Sequence, residues 1–263
     1  MNAPIAELVA PPHWRSVDLI SDLHLHASDA ATHALWRRYL TTPPLADALF
    51  ILGDLFEVWV GDDVLDCADT PERAFVRDCI DTLRQRASHS PVYFLAGNRD
   101  FLLGKRALAE SGMQGLGDPL LLSLGASRWL LSHGDALCLD DTDYQAFRAQ
   151  VRGPEWQADF LARPLSEREA IAAALRARSE ARKREIGHDP SLWADVDDNA
   201  ARTDLRAASA TTLIHGHTHR PGDHDLGDGL RRLVLSDWDA NARPVRAEVL
   251  RLTASGVQRV PLA

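Results

Sequence analysis

The stretch Ala48-Leu49-Phe50-Ile51-Leu52-Gly53-Asp54 decides how the rest is read. Five apolar residues in a row, bounded by a glycine, are too short for a helix and suit a buried strand. The glycine lets the backbone turn tightly, and a carboxylate then stands at the strand's end. The same grammar recurs along the chain. Val17-Asp18-Leu19-Ile20-Ser21 runs into Asp22-Leu23-His24, and Val92-Tyr93-Phe94-Leu95-Ala96 runs into Gly97-Asn98-Arg99-Asp100. Trp129-Leu130-Leu131-Ser132 meets His133-Gly134-Asp135, and Thr211-Thr212-Leu213-Ile214 meets His215-Gly216-His217-Thr218-His219.

Between the first three runs, residues 29–40 and 71–87 have helical patterning, so strand and helix alternate. Alternation of this kind implies an α/β core with mostly parallel pairing at its centre. Ligands of open α/β sheets sit beyond the carboxyl ends of the strands, which would line these polar residues along one edge. Residues 141–186 break the pattern with no strand-like run. Trp156, Phe160 and Leu161 suggest an apolar stripe ahead of a break at Pro164. Ser166-Glu167-Arg168-Glu169 reads as a capping box, followed by Ile171, Ala174, Leu175 and Arg178 at helical spacing. This is a helical insertion, an amphipathic pair, between the fourth and fifth strands. After residue 219, Arg232–Ser236 and Val245–Leu252 are β-like and suggest a second sheet layer.

Composition narrows the classes. The 263 residues, 45% hydrophobic and 25% charged, fit one large globular domain or two small ones, and exclude a coiled coil or a disordered chain. The charge of −9 argues against a general nucleic-acid binder. Cys67, Cys79 and Cys138 form no Cys-x-x-Cys pair, which fits a reducing compartment rather than a disulfide scaffold. No stretch reaches the ~20 apolar residues of a membrane span, and the opening MNAPIAELVAPPHWR lacks the pattern of a signal peptide. Of 29 basic residues only Lys105 and Lys183 are lysines. Most of that bias is explained by codon usage, leaving a few arginines to serve as bidentate phosphate contacts.

Each strand-end motif is weak alone. Asp22-x-His24 arises by chance, Gly53-Asp54 and Gly97-Asn98 are ordinary turns, and a lone His133 is more often structural. Paired histidines at 217 and 219 are harder to explain structurally, while His215 between Ile214 and Gly216 has at most a supporting role. Together they offer seven nitrogen and oxygen donors: Asp22, His24, Asp54, Asn98, His133, His217 and His219. Seven exceed one tetrahedral zinc site and match two ions with one bridging carboxylate, best Asp54. Such a pair forms a clamp for in-line displacement at phosphorus. With no cysteine among the donors, the set suits Mn²⁺, Mg²⁺ or Fe²⁺, with zinc as an alternative.

In this order, Asp22-x-His24, Gly53-Asp54, Gly97-Asn98, His133 and Gly216-His217-x-His219 resemble the calcineurin-like metallophosphoesterases. Ile51-Leu52-Gly53-Asp54-Leu55-Phe56-Glu57, Gly61-Asp62-Asp63, Gly97 to Lys105, Tyr144-Gln145-Ala146-Phe147-Arg148 and His215 to Pro221 are similar to the branch of UDP-2,3-diacylglucosamine diphosphatases of lipid A synthesis. The resemblance covers roughly residues 16–253. It implies a four-layer α/β/β/α sandwich, a single domain over 1–263, with residues 141–186 as a helical cap. It implies hydrolysis of a UDP-linked diacylated glucosamine to UMP and the sugar 1-phosphate, with two cations, most often Mn²⁺. One cation would take Asp22, His24 and His219, the other Asn98, His133 and His217, with Asp54 shared. Catalytic roles fall on Asp54, Asn98 and Arg99, and substrate contacts on Asn98, Arg99, Asp141, Ser179, Lys183 and His217. The implied location is cytoplasmic, peripheral on the inner membrane.

Two departures matter. Where many relatives place a histidine to protonate an alkoxide, this chain has Arg99, which suits a diphosphate whose leaving group is already a stable anion. Around Lys183 and Ile186 the expected Asn-then-Lys spacing is altered, leaving Arg182 or Arg184 to supply the charge. Nine basic and six acidic residues between Tyr144 and Ile186 give the insertion a local positive excess suited to anionic lipid, or simply a solvated face. A nucleotide phosphodiesterase or a phosphoprotein phosphatase of the same superfamily is the alternative. A metal-binding module without turnover is a third reading, and it would need lost ligands.

Overall fold

The computed structural model describes residues 5–186 and 194–262, the side chains at 179, 180 and 182–186 excepted. In chain order the first half comprises β1 (Ala6–Val9), β2 (Ser16–Ile20), α1 (Ala30–Thr41), β3 (Ala48–Leu52), α2 (Pro71–Ala87), β4 (Val92–Leu95), α3 (Lys105–Ser111), β5 (Gln114–Leu116), β6 (Leu120–Leu124) and β7 (Ser127–Leu131). Then follow α4 (Thr142–Val151), α5 (Pro154–Leu161), α6 (Leu165–Ile186), α7 (Asp198–Ala208), β8 (Thr212–His215), β9 (Gly222–Gly227), β10 (Leu230–Val234), β11 (Glu248–Thr253) and β12 (Gly256–Pro261).

The strands form two six-stranded sheets, ordered β12-β11-β2-β3-β4-β5 and β1-β6-β7-β8-β10-β9. Strands β2 to β5 are parallel, as are β7, β8 and β10. Side-chain alternation produces the layering. Ala48, Phe50 and Leu52 of β3 join Leu120, Leu122, Trp129, Leu131 and Ile214 of the other sheet in one core. Leu49 and Ile51 face the other way, onto Trp36 and Leu40 of α1 and Cys79, Ile80 and Leu83 of α2. Across the second sheet, Leu121, Leu130 and Leu213 pack on Ala201, Leu205 and Ala208 of α7. The order is therefore helix, sheet, sheet, helix, a four-layer α/β/β/α sandwich.

Helix α2 starts and stops as its sequence dictates. The Thr70 side chain accepts from the Arg73 N–H, Pro71 opens the helix, and Arg84 and Arg86 lie in its last turn, where they oppose the dipole. Two expectations are corrected. The tail after residue 219 does not make a second sheet of its own. Strand β10 pairs with β8 in one sheet, while β11 pairs antiparallel with β2 in the other. In the insertion there are three helices rather than a pair, and Ser166 is not a cap. Helix α6 begins at Leu165, with the N–H groups of Glu167 and Arg168 donating to Pro164 O. Its packed face carries Leu165, Arg168, Ile171 and Ala172, whereas Ala174, Leu175 and Arg178 are exposed. No helix among the described residues is long and apolar enough to cross a membrane.

Candidate metal centre

All seven donor residues follow the carboxyl ends of strands: Asp22 and His24 after β2, Asp54 after β3, Asn98 after β4, His133 after β7, and His217 and His219 after β8. The two sheets bring these ends to one place. Asp22 and His24 do not continue a strand, as the sequence reading assumed. Their N–H groups donate to Gly53 O (3.1 Å) and Asp54 O (3.0 Å), and both backbones are left-handed. Five of the seven share that conformation, with φ of 53° at Asp22, 48° at His24, 52° at Asp54, 67° at His217 and 53° at His219. Non-glycine residues held there cost roughly 1–3 kcal/mol each and persist where function demands them. The loops also interlock closely. A Cβ on Gly97 would strike the Asp54 carboxylate, and one on Gly216 the Asp22 carboxylate.

The donors fall into two groups. In the first, His219 Nε2 lies 3.1 Å from His24 Nε2 and 3.4 Å from Asp22 Oδ1. In the second, Asn98 Oδ1 lies 2.9 Å from both His133 Nε2 and His217 Nδ1. Asp54 stands between them, with Oδ2 4.0 Å from His24 Nε2 and Oδ1 3.6 Å from His133 Nε2.

Neighbouring groups fix these side chains. Asp22 Oδ2 accepts from Ser21 Oγ (2.6 Å) and His217 N (2.9 Å). Asp54 Oδ1 accepts from Arg99 N (2.8 Å). The buried Asp100 carboxylate receives the N–H groups of Gly97 (2.8 Å) and Leu55 (2.7 Å), tying the β3 and β4 turns together. His133 Nδ1 donates to Leu52 O at 2.8 Å, which leaves Nε2 to face Asn98 and Asp54.

The electrostatics ask for positive charge at this point. Burial pushes the Asp54 carboxyl up to about 7, helped by the carboxylates of Asp100 and Asp22 and opposed by His133. Burial works against a charged His133, yet Asp54, Asp135 and Asp22 raise it to about 9. Burial lowers His217 to about 3 and His24 well below the usual range, aided by neighbouring histidines. For Asp22 burial opposes ionisation, but His219, His133 and His24 hold it well below other carboxylates. A buried oxygen, Asp22 Oδ1, has no hydrogen-bond partner and faces His24 and His219. With Nδ1 committed to Leu52, a neutral His133 would turn a lone pair onto the Asn98 oxygen, so a proton or a cation belongs between them. The donor set therefore fits divalent cations: nitrogen and oxygen only, lone pairs converging, and the charge uncompensated.

His24, Asp54, Asn98, Arg99, His217 and His219 also line a cavity of about 1100 Å³. Its other walls are largely apolar, with Phe56, Val60 and Phe75 from the sandwich side and Trp156, Phe160 and Leu175 from α5 and α6, while Glu57, Arg73, Glu169 and Arg176 add charge. Asp141 lines it too, while its carboxylate caps α4 by accepting from Tyr144 N (3.2 Å). Ser179 and Lys183 fall on α6, as do Arg182 and Arg184, but their side chains lie outside the described residues. His215 is buried with Nδ1 2.9 Å from Gly216 O, apart from the donor groups.

Sequence reasoning passed over three acidic residues at the site. Asp100 had been quoted only as part of a motif, and its clamp on backbone N–H groups has no signature of spacing. Asp135 anchors α4, accepting from Tyr144 Oη (2.6 Å) and Arg148 Nε (2.8 Å). Glu57 lies against His24, Arg99 and Arg176 at once. Its signal was available: a glutamate within an otherwise apolar Leu55–Val60 segment.

The chain is similar to known proteins along nearly its whole length. A family profile described as calcineurin-like phosphoesterase matches residues 15–221. The UDP-2,3-diacylglucosamine hydrolase of Chromobacterium violaceum is 44% identical over 254 residues, covering 94% of this chain and 99% of that protein. The protein of the same name from Xanthomonas axonopodis pv. citri is 43% identical over 253 residues, covering 93% and 98%. Among solved structures, an archaeal phosphodiesterase aligns over 93% of this chain and 98% of its own, at 9% identity and a TM-score of 0.45. On the profile and the curated relatives together, this chain belongs to the calcineurin-like phosphoesterase family.

Proposed function

We propose that this chain hydrolyses the diphosphate bond of UDP-2,3-diacylglucosamine, giving UMP and 2,3-diacylglucosamine 1-phosphate, with two divalent cations. The observation that carries the reading is a junction. Seven metal-competent side chains converge where a cavity of about 1100 Å³, walled largely by apolar side chains, meets them. A phosphate-processing end joined to a greasy chamber suits a nucleotide-linked lipid, and the names of the curated relatives point the same way.

Asp22, His24 and His219 would hold one cation, Asn98, His133 and His217 the other, with Asp54 common to both; Mn²⁺ suits these donors. Bound there, such a pair neutralises phosphate oxygens and acidifies a water. Arg99 is tied to the centre through its backbone N–H on Asp54 and is placed to balance charge spreading onto the leaving phosphate. Asn98 and His217 orient the substrate phosphates, and Asp141 meets its polar part from α4. Helices α4–α6, residues 141–186, act as a cap within a single domain, covering the acyl chains. Exposed Leu161 and the net positive sequence of this insertion support peripheral contact with an anionic membrane surface, on the cytoplasmic face.

Hydrolysis of UDP-2,3-diacylglucosamine in ¹⁸O-water, with mass analysis of both products, tests the reading. Manganese-dependent appearance of UMP and the lipid phosphate, one of them carrying the label, is expected. No turnover of this substrate by the cation-loaded protein contradicts it.

A further inference from the structure

The Glu57 carboxylate sits where the metal centre, the candidate phosphate clamp and the cap helix meet. Its Oε2 is 3.4 Å from His24 Nδ1, and its Oε1 is 3.4 Å from Arg99 Nη1 and 3.1 Å from Arg176 Nε of α6. His24 presents Nε2 to Asp22, Asp54 and His219. To use that atom as a neutral donor, the ring must carry its proton on Nδ1. Nδ1 is buried and makes no closed hydrogen bond. A buried N–H left unmet is costly, and Glu57 Oε2 offers an acceptor 3.4 Å away. The side chain of Glu57 is itself only 12% exposed, so an ionised carboxylate there needs its arginines.

We propose that Glu57 is a positioning residue: one carboxylate oxygen takes the Nδ1–H of His24 and so aims Nε2 at the cation, while the other holds Arg99 and Arg176, linking helix α6 to the metal centre. A carboxylate behind a ligating imidazole fixes its tautomer and raises its basicity. Sharing the second oxygen between Arg99 and Arg176 gives the cap a direct ionic path to the ligand ring. This inference rests on the two-cation reading above.

The test is binding of manganese alone, measured by titration calorimetry without substrate. Relative to the unsubstituted chain, Glu57→Ala is expected to weaken cation binding about 10–100-fold. Glu57→Gln keeps an acceptor oxygen for Nδ1–H and should recover most of that loss, which a purely structural role would not predict. In magnesium-loaded, ¹⁵N-labelled protein the His24 Nδ1 proton should be a slowly exchanging, downfield signal that moves in Glu57→Gln. This second measurement decides the case if Glu57→Ala does not fold. Unchanged manganese affinity in folded Glu57→Ala, or an unmoved His24 signal in Glu57→Gln, overturns the proposal. Failure of the unsubstituted chain to bind any cation would instead overturn the two-cation reading itself.

Discussion

Asp54 is an expensive side chain to keep ionised. It is buried beside two other carboxylates, in a left-handed backbone, and positive charge at the centre together with the Arg99 N–H offsets that cost. Asn has nearly the same shape, tolerates the left-handed region and carries no charge. Asp54→Asn is therefore expected to abolish cation-dependent hydrolysis while raising the melting temperature of the cation-free protein by a few degrees at pH 8. Its folded-state carboxyl sits above the unfolded value, so ionisation at pH 8 opposes folding and Asn removes that penalty. A variant that melts lower, or keeps its turnover, contradicts the role. Arg99→Ala should slow diphosphate cleavage by about 10²–10³-fold, the scale of losing one charge-stabilising donor; a kcat within threefold of the unsubstituted enzyme would remove Arg99 from the reaction. The donor residues were legible because Asp, Asn and His at the ends of apolar runs are costly places for polar groups. Their left-handed backbones were not, because those arise from loops of two sheets crossing at Gly97 and Gly216.

At the scale of elements, Arg168 is the buried polar anchor of α6. Arg168 is 2% exposed and donates to Val60 O and Arg163 O while pairing with Asp63, passing against Gly61. Gly61 has φ 136° and no room for a Cβ beside that guanidinium. Removing the arginine leaves the Val60 carbonyl buried without its donor and opens space beside Gly61 and Leu161. Arg168→Ala is expected to destabilise by roughly 3 kcal/mol and to make the 141–186 region the first site of limited proteolysis; an unchanged cleavage pattern would show that α6 is held by its apolar face alone. Such a latch explains why the capping-box reading failed. Ser166 and Glu169 have capping chemistry, but the helix is entered two residues earlier because Leu165 packs into the core and Pro164 supplies the carbonyl. Helix α2 was read to the residue because its cap, proline and basic last turn are local. Strands β1, β5, β6, β9 and β12 were not read. Gln114–Leu116 is three residues long, and Ala6–Val9 is a strand only because β6 offers it an edge.

At the scale of the molecule, the sequence specified the layers better than their membership. The unbroken apolar runs of β3 and β4 foretell two packed faces, but whether β10 or β11 joins a given sheet depends on contacts far apart in the chain. The two sheets converge on one cluster, so occupancy of that cluster should govern stability of the whole. Asp54 and His133 both hold their protons more tightly in the folded chain, near 7 and 9, than ordinary Asp or His do. Their contribution to stability is fully present below the unfolded values, about 3.9 and 6.5, and is lost as pH rises through 7 and then 9. Asp22 runs the other way: its contribution is present above the unfolded value and is lost only in acid. His217 and His24, held low, stay neutral in both states above pH 7. Between pH 7 and 9, then, His133 decides, with Asp54 adding only at the lower end, and the cation-free protein should melt at lower temperature as pH increases. A divalent cation must displace the same two protons, so its affinity rises over that interval. Bound cation stabilises by mass action, and the gain in melting temperature on adding saturating manganese should widen steadily from pH 7 to pH 9. A gain that is flat or narrows across this range would mean that Asp54 and His133 do not share their protons' place with the metal.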